Sequence, residues 1–169
     1  MTPKNKPGAA LPDIQTDVNA LCPDWPDISG ILGDVKSALN EHHVFEQFGS
    51  GTVEISIVLA DNAFVQNLNR DYRGKDKPTN VLSFPQDPVA DSKMINLGDV
   101  VMAYETVMAE SKIQKKPFTE HVTHLLVHGI LHLLEYDHEN EEEAEEMESL
   151  EIRVLERLGI KNPYEDIEE

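Results

Sequence analysis

The sequence has one cysteine, no long apolar run and few basic residues, and each shortage narrows its possible functions. A single cysteine, Cys22, excludes an internal disulfide and favours a reducing cytoplasm. The sequence contains no run of about eighteen apolar residues, so no membrane span is predicted. The polar residues 1–12 lack the apolar core of a signal peptide. We therefore expect a cytoplasmic protein with a disordered tail over residues 1–12 and a single domain over residues 13–169.

The shortage of basic residues opposes binding to nucleic acid, because 32 acidic residues face 14 basic ones and the net charge is −18. Much of the negative charge lies in residues 139–151, which we interpret as a solvated face near the start of a helix. A local basic patch is nonetheless formed by four residues of one short stretch, Arg70, Arg73, Lys75 and Lys77. If the chain binds nucleic acid, we expect weak, salt-dependent binding and a protein partner that delivers the nucleic acid.

Residues 119–138, TEHVTHLLVHGILHLLEYDH, carry the strongest chemical signal. His128 and His132 stand four positions apart, so on a helix both rings share one face and can bind one metal ion at about 2.0–2.1 Å each. His124 and His132 would be on the order of 11–12 Å apart along a straight helix, too far for both to reach that ion. The chain can leave the helix near residue 135 and return His138 to the same face. We predict His128, His132 and His138 as metal ligands, with His124 buried or in contact with a ligand.

Three imidazoles leave one tetrahedral position open to water, as in catalytic zinc sites, so we expect one Zn²⁺ per chain. Zinc held in this way can lower the pKa of bound water to about 7, which supplies hydroxide without a carboxylate base. The same histidine spacing occurs in zinc proteases, which carry glutamate directly after the first histidine. Gly129 occupies that position here, and the base is missing.

Hydrophobic periodicity predicts an α+β domain in which a single mixed sheet of about four strands is surrounded by about five helices. The predicted strands are residues 13–21, 53–59, 81–84 and 98–103, and residues 74–78 and 86–96 are predicted loops. Five helices are predicted. Three of them span residues 28–42, about 104–115 and 141–158. The other two begin after the expected caps Asp61 and Thr119, the first ending near residue 72 and the second containing the histidines. The histidine helix is apolar nearly all round, so we expect a central buried helix that carries the metal ligands.

Two long motifs resemble those of one family. HGILHLLEYDH is similar to the signature H-G-x-L-H-L-x-G-Y-D-H of the YbeY family, the bacterial zinc-dependent endoribonucleases of ribosome maturation. YRGKDKPTNVLSFP resembles the second signature of that family, and LGD at residues 97–99 fits the same order. Where the family has glycine this chain has Glu135, which would be strained by about 1–2 kcal/mol if its backbone were left-handed.

The resemblance implies a single-strand-specific endoribonuclease that matures the 3′ end of small-subunit ribosomal RNA and serves ribosome quality control. It assigns catalysis to the arginine of Y-R-G-K-D, here Arg73, whose guanidinium fork suits two oxygens of a phosphoryl transition state. A zinc-bound water or hydroxide would attack the phosphodiester. The expected partners are single-stranded RNA, the ribosome or a subunit, and a delivery protein, with neither membrane nor DNA. The alternatives are a zinc metallopeptidase and a non-catalytic ribosome-assembly factor with a structural zinc.

Overall fold

A computed structural model describes residues 11–86, 94–134 and 141–164. Its four strands are β1 (Asp13–Ala20), β2 (Thr52–Ala60), β3 (Val81–Pro85) and β4 (Met94–Ala103). They form one sheet in the order β1-β2-β4-β3, with β3 antiparallel to β4 and the other pairs parallel. The helices are α1 (Ser29–Glu41), α2 (Asn62–Arg73), α3 (Tyr104–Ile113), α4 (Phe118–Leu133) and α5 (Glu141–Arg157), with a 3-10 turn at Glu46–Phe48. The predicted α+β class and single mixed sheet are confirmed.

The two faces of the sheet bury different cores. Alternation along β2 turns Val53, Ile55, Ile57 and Leu59 toward the larger core, which also contains side chains of α1, α4 and α5. On the opposite face, α2 contributes Val65 to a smaller cluster with Val101. Ten of the sixteen residues of α4 are buried, so the histidine helix lies within the larger core, as its apolar sequence predicts.

β4 begins earlier than the sequence indicated, because residues 94–96 were predicted as part of a loop. The register between β2 and β4 shifts by one residue at Leu97, which is the extra residue of a β-bulge. Gly98 follows with φ 128°, and a Cβ there would lie 2.1 Å from the backbone oxygen of Phe84 on β3. Glycine therefore permits the close approach of β3 to β4, and the bulge hides the start of β4 by interrupting the alternation of the sequence.

Two predicted helix caps had different outcomes. Asp61 caps α2 as expected, since its Oδ1 accepts a hydrogen bond from the backbone N–H of Phe64 at 2.9 Å. The predicted Thr119 cap is wrong, because α4 begins at Phe118, directly after Pro117. No side chain caps this helix start, and the carbonyl of Pro117 accepts hydrogen bonds from the N–H groups of Glu120 and His121 at 3.1 Å each.

The described ranges contain no helix that is long and apolar enough to cross a membrane. The tail predicted for residues 1–12 lies outside the described residues except for Leu11 and Pro12, and Glu135 lies outside them as well.

Candidate metal centre

His128 and His132 meet on one face of α4. Their ring centroids are 4.5 Å apart, and their Nε2 atoms are separated by 3.1 Å. Two nitrogen ligands at 2.0–2.1 Å from a tetrahedral ion are about 3.3 Å apart, so the pair fits a single ion. The structure brings these two predicted ligands together, and metal binding by them stays a prediction. The third predicted ligand, His138, lies outside the described residues.

Glu151 of α5 places a carboxylate behind this pair. The residue is 0% exposed. Its Oε2 accepts a hydrogen bond from His128 Nδ1 at 2.7 Å, and its Oε1 accepts one from the Tyr164 hydroxyl at 2.5 Å. When His128 is neutral, a proton on Nδ1 leaves the lone pair on Nε2, the atom that faces His132. A hydrogen bond of this kind orients histidine ligands in many metal proteins.

The surroundings of Glu151 favour its ionised form. Burial raises the pKa of this carboxyl, but the hydrogen bonds from His128 and Tyr164 and the nearby imidazoles outweigh burial, so its pKa lies below the ordinary value. Burial and the bond to Glu151 raise the pKa of the Tyr164 phenol. A carboxylate that accepts two hydrogen bonds is therefore the stable arrangement at neutral pH.

His124 lies one turn before His128, at the buried end of the site. Its Nε2 is 3.7 Å from Glu151 Oε2, too far for a hydrogen bond. Neither ring nitrogen has a hydrogen-bond partner among the residues that the structure describes. Burial lowers the pKa of His124 to about 4, so the ring is neutral at pH 7. The ring lies beside that of His128, with centroids 6.2 Å apart, and the role of His124 at the site stays a prediction.

A second group of donors shares His128. Ligand atoms of His124, His128 and Glu151 all lie within 4.8 Å of one another, so this trio is also able to hold a metal ion. The 2.7 Å between His128 Nδ1 and Glu151 Oε2 fits a hydrogen bond, however, whereas two ligands of one ion stand about 3 Å or more apart. The geometry therefore favours the Nε2 atoms of His128 and His132 as donors, with Glu151 as the group that orients His128.

Glu151 was not among the site residues predicted from the sequence. We interpreted residues 139–151 as a solvated face, and for Glu151 this was wrong, because its side chain is fully buried. Helical periodicity contained a signal, since Glu151 lies four residues after Met147 and four before Leu155, which are both 0% exposed. An acidic residue within the apolar stripe of a helix indicates a buried partner for its charge.

Arg73 ends α2 on the face of the sheet opposite α4. Its side chain is exposed and makes no hydrogen bond or ion pair within the described part of the chain. The preceding residue, Tyr72, packs on Phe84 of β3 with ring centroids 5.4 Å apart. On the other face of β3, the Ser83 hydroxyl donates to the carbonyl of Gly129 at 2.9 Å. Neighbouring residues of the edge strand thus contact the end of α2 and the middle of α4.

The basic patch is smaller than the sequence indicated. Arg70 Nε lies 3.3 Å from Asp71 Oδ1, and its guanidinium is also 3.8 Å from Asp76 Oδ1, so this charge is balanced locally. Gly74, in the left-handed region with φ 71°, ends α2 and turns the chain into the loop that follows. The exposed cations that remain in this stretch are Arg73, Lys75 and Lys77.

A second, partly buried polar cluster connects that loop to α4. Glu110 of α3 accepts a hydrogen bond from His121 Nε2 at 2.7 Å and another from Asn80 Nδ2 at 3.0 Å. Burial raises the pKa of the Glu110 carboxyl, but these bonds outweigh it, and the pKa lies below its ordinary value. These hydrogen bonds connect Asn80 to the histidine helix. Asn80 lies at the end of the loop after α2, which carries Lys75 and Lys77 and is called the basic loop below.

Gly129 leaves no space for the glutamate of a zinc protease. A Cβ at this position would lie 2.9 Å from Val100 Cγ1 and 3.3 Å from Ser83 Oγ. Both neighbours belong to the sheet on which α4 packs, so a larger side chain would separate the helix from β3 and β4.

The fold and the donor geometry define an α+β protein with a histidine site suited to a metal ion. A sequence profile described as Endoribonuclease YbeY matches residues 27–159. An Endoribonuclease YbeY of Paramagnetospirillum magneticum is 48% identical over 161 residues, which cover 89% of this chain and 96% of that protein. An Endoribonuclease YbeY of Sinorhizobium medicae is 43% identical over 163 residues, which cover 92% of this chain and 96% of that protein. The solution structure of TM1509 from Thermotoga maritima matches with a TM-score of 0.53 and 26% sequence identity, and the match covers 92% of this chain and 96% of TM1509. The chain belongs to the YbeY family.

Proposed function

We propose that this chain is a metal-dependent endoribonuclease that cuts single-stranded RNA, with His128, His132 and His138 as ligands of one zinc ion. The relatives named Endoribonuclease YbeY support the reaction. The observation that carries the proposal is the pair of Nε2 atoms 3.1 Å apart, with a buried carboxylate bonded to His128. We further propose the family's role in maturing the 3′ end of small-subunit ribosomal RNA and in ribosome quality control, in the cytoplasm and on the ribosome or a subunit.

The donor atoms are compatible with zinc as the ion. Neutral imidazoles suit zinc, nickel, copper and iron, and the single cysteine, Cys22, is buried in the larger hydrophobic core. A zinc ion held by the histidines would supply Lewis acidity and would lower the pKa of a bound water molecule to about 7. Hydrolysis of a phosphodiester at neutral pH then needs no carboxylate base from the protein.

Glu151 has a positioning role in this proposal. Its hydrogen bond keeps the proton of His128 on Nδ1, which directs the Nε2 lone pair toward His132 and makes the ring a stronger donor. Tyr164 fixes the other carboxylate oxygen, so the acid cannot rotate away. Because Glu151 is fully buried, water does not compete for these bonds.

We propose that Arg73 contacts phosphoryl oxygens of the RNA. No carboxylate of the described chain occupies its guanidinium, which presents a fork of donors that matches two such oxygens. Tyr72 and the histidine helix contact neighbouring residues of β3, the edge strand of the sheet. An RNA strand that crosses this edge would pass both the basic loop and the histidines.

The metallopeptidase alternative is weakened by Gly129. In such enzymes a glutamate after the first histidine activates water, and the packing against Val100 and Ser83 excludes a longer side chain at that position. The alternative of a structural zinc without catalysis requires an experiment.

The test combines elemental analysis of the purified protein with cleavage of a fluorescent single-stranded RNA. We expect about one zinc per chain, cleavage that stops on chelation and returns with zinc, and little cleavage of the same RNA in a duplex. His132→Ala should lose both metal and activity, whereas His43→Ala, at a partly exposed position after α1, should keep both. Full cleavage by metal-free protein, or digestion of casein, would overturn the proposal, and bound zinc without any cleavage would favour a structural ion.

A further inference from the structure

β1 lies at the edge of the sheet opposite β3 and pairs only with β2 among the described strands. The N–H of Asp13 donates to the carbonyl of Gly51, and that of Leu21 donates to the carbonyl of Leu59. Odd-numbered residues of β1 therefore direct their backbone groups toward β2. Because direction alternates along a strand, the even-numbered residues direct theirs outward, away from the sheet.

Among the residues that the structure describes, only the first part of this outer edge has a covering contact. Lys36 of α1 donates from Nζ to the carbonyl of Ile14 at 3.3 Å. Farther along, the outward N–H and C=O groups of Thr16, Val18 and Ala20 have no hydrogen-bond partner in the part of the chain that the structure describes. The stretch from Thr16 to Ala20 is about 16 Å long, enough to pair with a short additional strand.

A groove of about 520 Å³ runs beside the open stretch, between β1 and α1. Its lining includes Val18, which is 42% exposed, and the buried side chains of Ile28, Leu32 and Leu59. Gly33 of α1 also lines the groove, and a Cβ added there would meet no atom within 4 Å. The volume is within the range of about 300–1,000 Å³ that is usual for ligand sites in proteins.

The opposite face of the same edge is acidic. Asp13 and Asp17 are exposed on it, and the whole chain carries a net charge of −18. A strand added to β1 would place alternate side chains over the groove and the others beside Asp17. The complementary sequence therefore alternates apolar residues with lysine or arginine. A second copy of this chain is a poor match, because it would bring two acidic edges, each with exposed Asp13 and Asp17, into one sheet, and each chain carries a net charge of −18.

We propose that β1 is a docking edge for an extended basic segment of a partner protein, which pairs with Thr16 to Ala20 and seats its apolar side chains in the groove. In strand addition, main-chain hydrogen bonds supply affinity and side-chain pockets supply specificity. This surface does not depend on the proposed nuclease activity, because the lining residues belong to β1, β2, α1 and the segment before α1, and none is a histidine.

The probe is a peptide of alternating lysine and valine, seven residues long and capped at both ends, titrated into the full-length ¹⁵N-labelled protein. We expect saturable shifts of the amide signals of Thr16, Val18 and Ala20, with binding that weakens as salt is added. A peptide of alternating glutamate and valine should not bind, because its charges repel Asp13 and Asp17.

Two glycines of α1 provide a matched pair of variants. A Cβ added at either Gly30 or Gly33 would meet open space, and only Gly33 lines the groove. Leucine favours helix more than glycine does, so both variants are expected to fold. Gly33→Leu should weaken peptide binding at least tenfold, whereas Gly30→Leu should bind as the parent does, and RNA cleavage should be unchanged in both.

Two variants of Val18 distinguish the contribution of backbone pairing from that of apolar contact. Its N–H points away from β2, so Val18→Pro removes an outward donor without removing a bond of the sheet. Val18→Pro should therefore weaken the peptide more than Val18→Ala, which keeps the donor. Equal peptide affinity of Gly33→Leu and Gly30→Leu, or amide shifts confined to another surface, would overturn the proposal. A concentration-dependent dimer that forms through β1 would also overturn it, in favour of a second copy as the occupant.

Discussion

Replacing Glu151 with glutamine tests whether the buried carboxylate orients the metal-binding histidine. The change keeps the shape of the side chain but removes its negative charge: the amide oxygen can still accept from the Nδ1–H of His128 while the amide NH2 donates to the Tyr164 hydroxyl, so His128 loses a charged outer partner. Loss of such an outer partner costs metal affinity about 10–100-fold. At about 1.4 kcal/mol for each factor of ten, the expected loss of binding free energy is about 1.4–2.8 kcal/mol.

Zinc affinity is measured by competition with a chromophoric chelator at neutral pH, after urea unfolding has shown that each variant is folded. Glu146→Gln is the matched control, because Glu146 is an exposed acid on the same helix, and its zinc affinity should equal that of the parent. Tyr164→Phe removes only the bond to Oε1 of Glu151 and should lower the affinity less than tenfold.

The same assay distinguishes the two possible groups of donors. With the Nε2 atoms as donors, His128→Ala, His132→Ala and His138→Ala should lose the ion, while His124→Ala should keep it. Unchanged affinity in Glu151→Gln would refute the orienting role of the carboxylate. Complete loss in both Glu151→Gln and His124→Ala, with retention in His132→Ala, would mean that the other trio binds the metal.

Three further predictions concern other parts of the molecule. Gly98→Ala should lower the free energy of unfolding by about 3 kcal/mol or more, because of both strain and a backbone clash, whereas Gly74→Ala, at a left-handed residue in open space, should cost about 1–2 kcal/mol; urea midpoints compare the two variants. Arg73→Ala should lower the single-turnover rate at saturating RNA about a hundredfold with little change in RNA affinity. Lys77→Ala should weaken RNA affinity with little change in that rate. A normal rate in Arg73→Ala would mean that Arg73 only binds RNA. Glu110 has a folded pKa below its ordinary value of 4.5, so its stabilisation is present above that pH and is lost as pH falls through the folded value. The urea stabilities of the parent and Glu110→Gln should therefore converge in acid, and a constant difference would contradict this reasoning.

The elements with regular periodicity could be predicted from the sequence, and those shaped by tertiary contacts could not. Strict alternation located β2, and an apolar surface on all sides identified α4 as the central helix. The start of β4 was missed because the bulge at Leu97 breaks the alternation on which the prediction depends. The α4 start was misplaced by one turn or less, because a threonine near a helix start resembles a cap even where proline precedes it.

The site was predictable only where its residues are local in the chain. The spacing of four between His128 and His132 implies a shared helix face, and the structure has the two rings in contact. Glu151 lies on another helix, 23 residues beyond His128, and no spacing rule connects them. The role of Arg73 came from family resemblance alone, because charge patterning does not distinguish it from Arg70.

The hydrogen bond between His128 and Glu151 has a consequence for the turnover of the protein. It joins α4 to α5, and α5 also contributes the fully buried Met147, Val154 and Leu155 to the core. A metal ion that binds Nε2 of His128 holds the proton on Nδ1 and so strengthens the contact that docks α5. Free metal at a hundred times its dissociation constant would stabilise the folded chain by about 2.7 kcal/mol. Metal-free molecules would lack this stabilisation and be cut more readily by proteases, so the lifetime of the protein in the cell would follow the supply of metal.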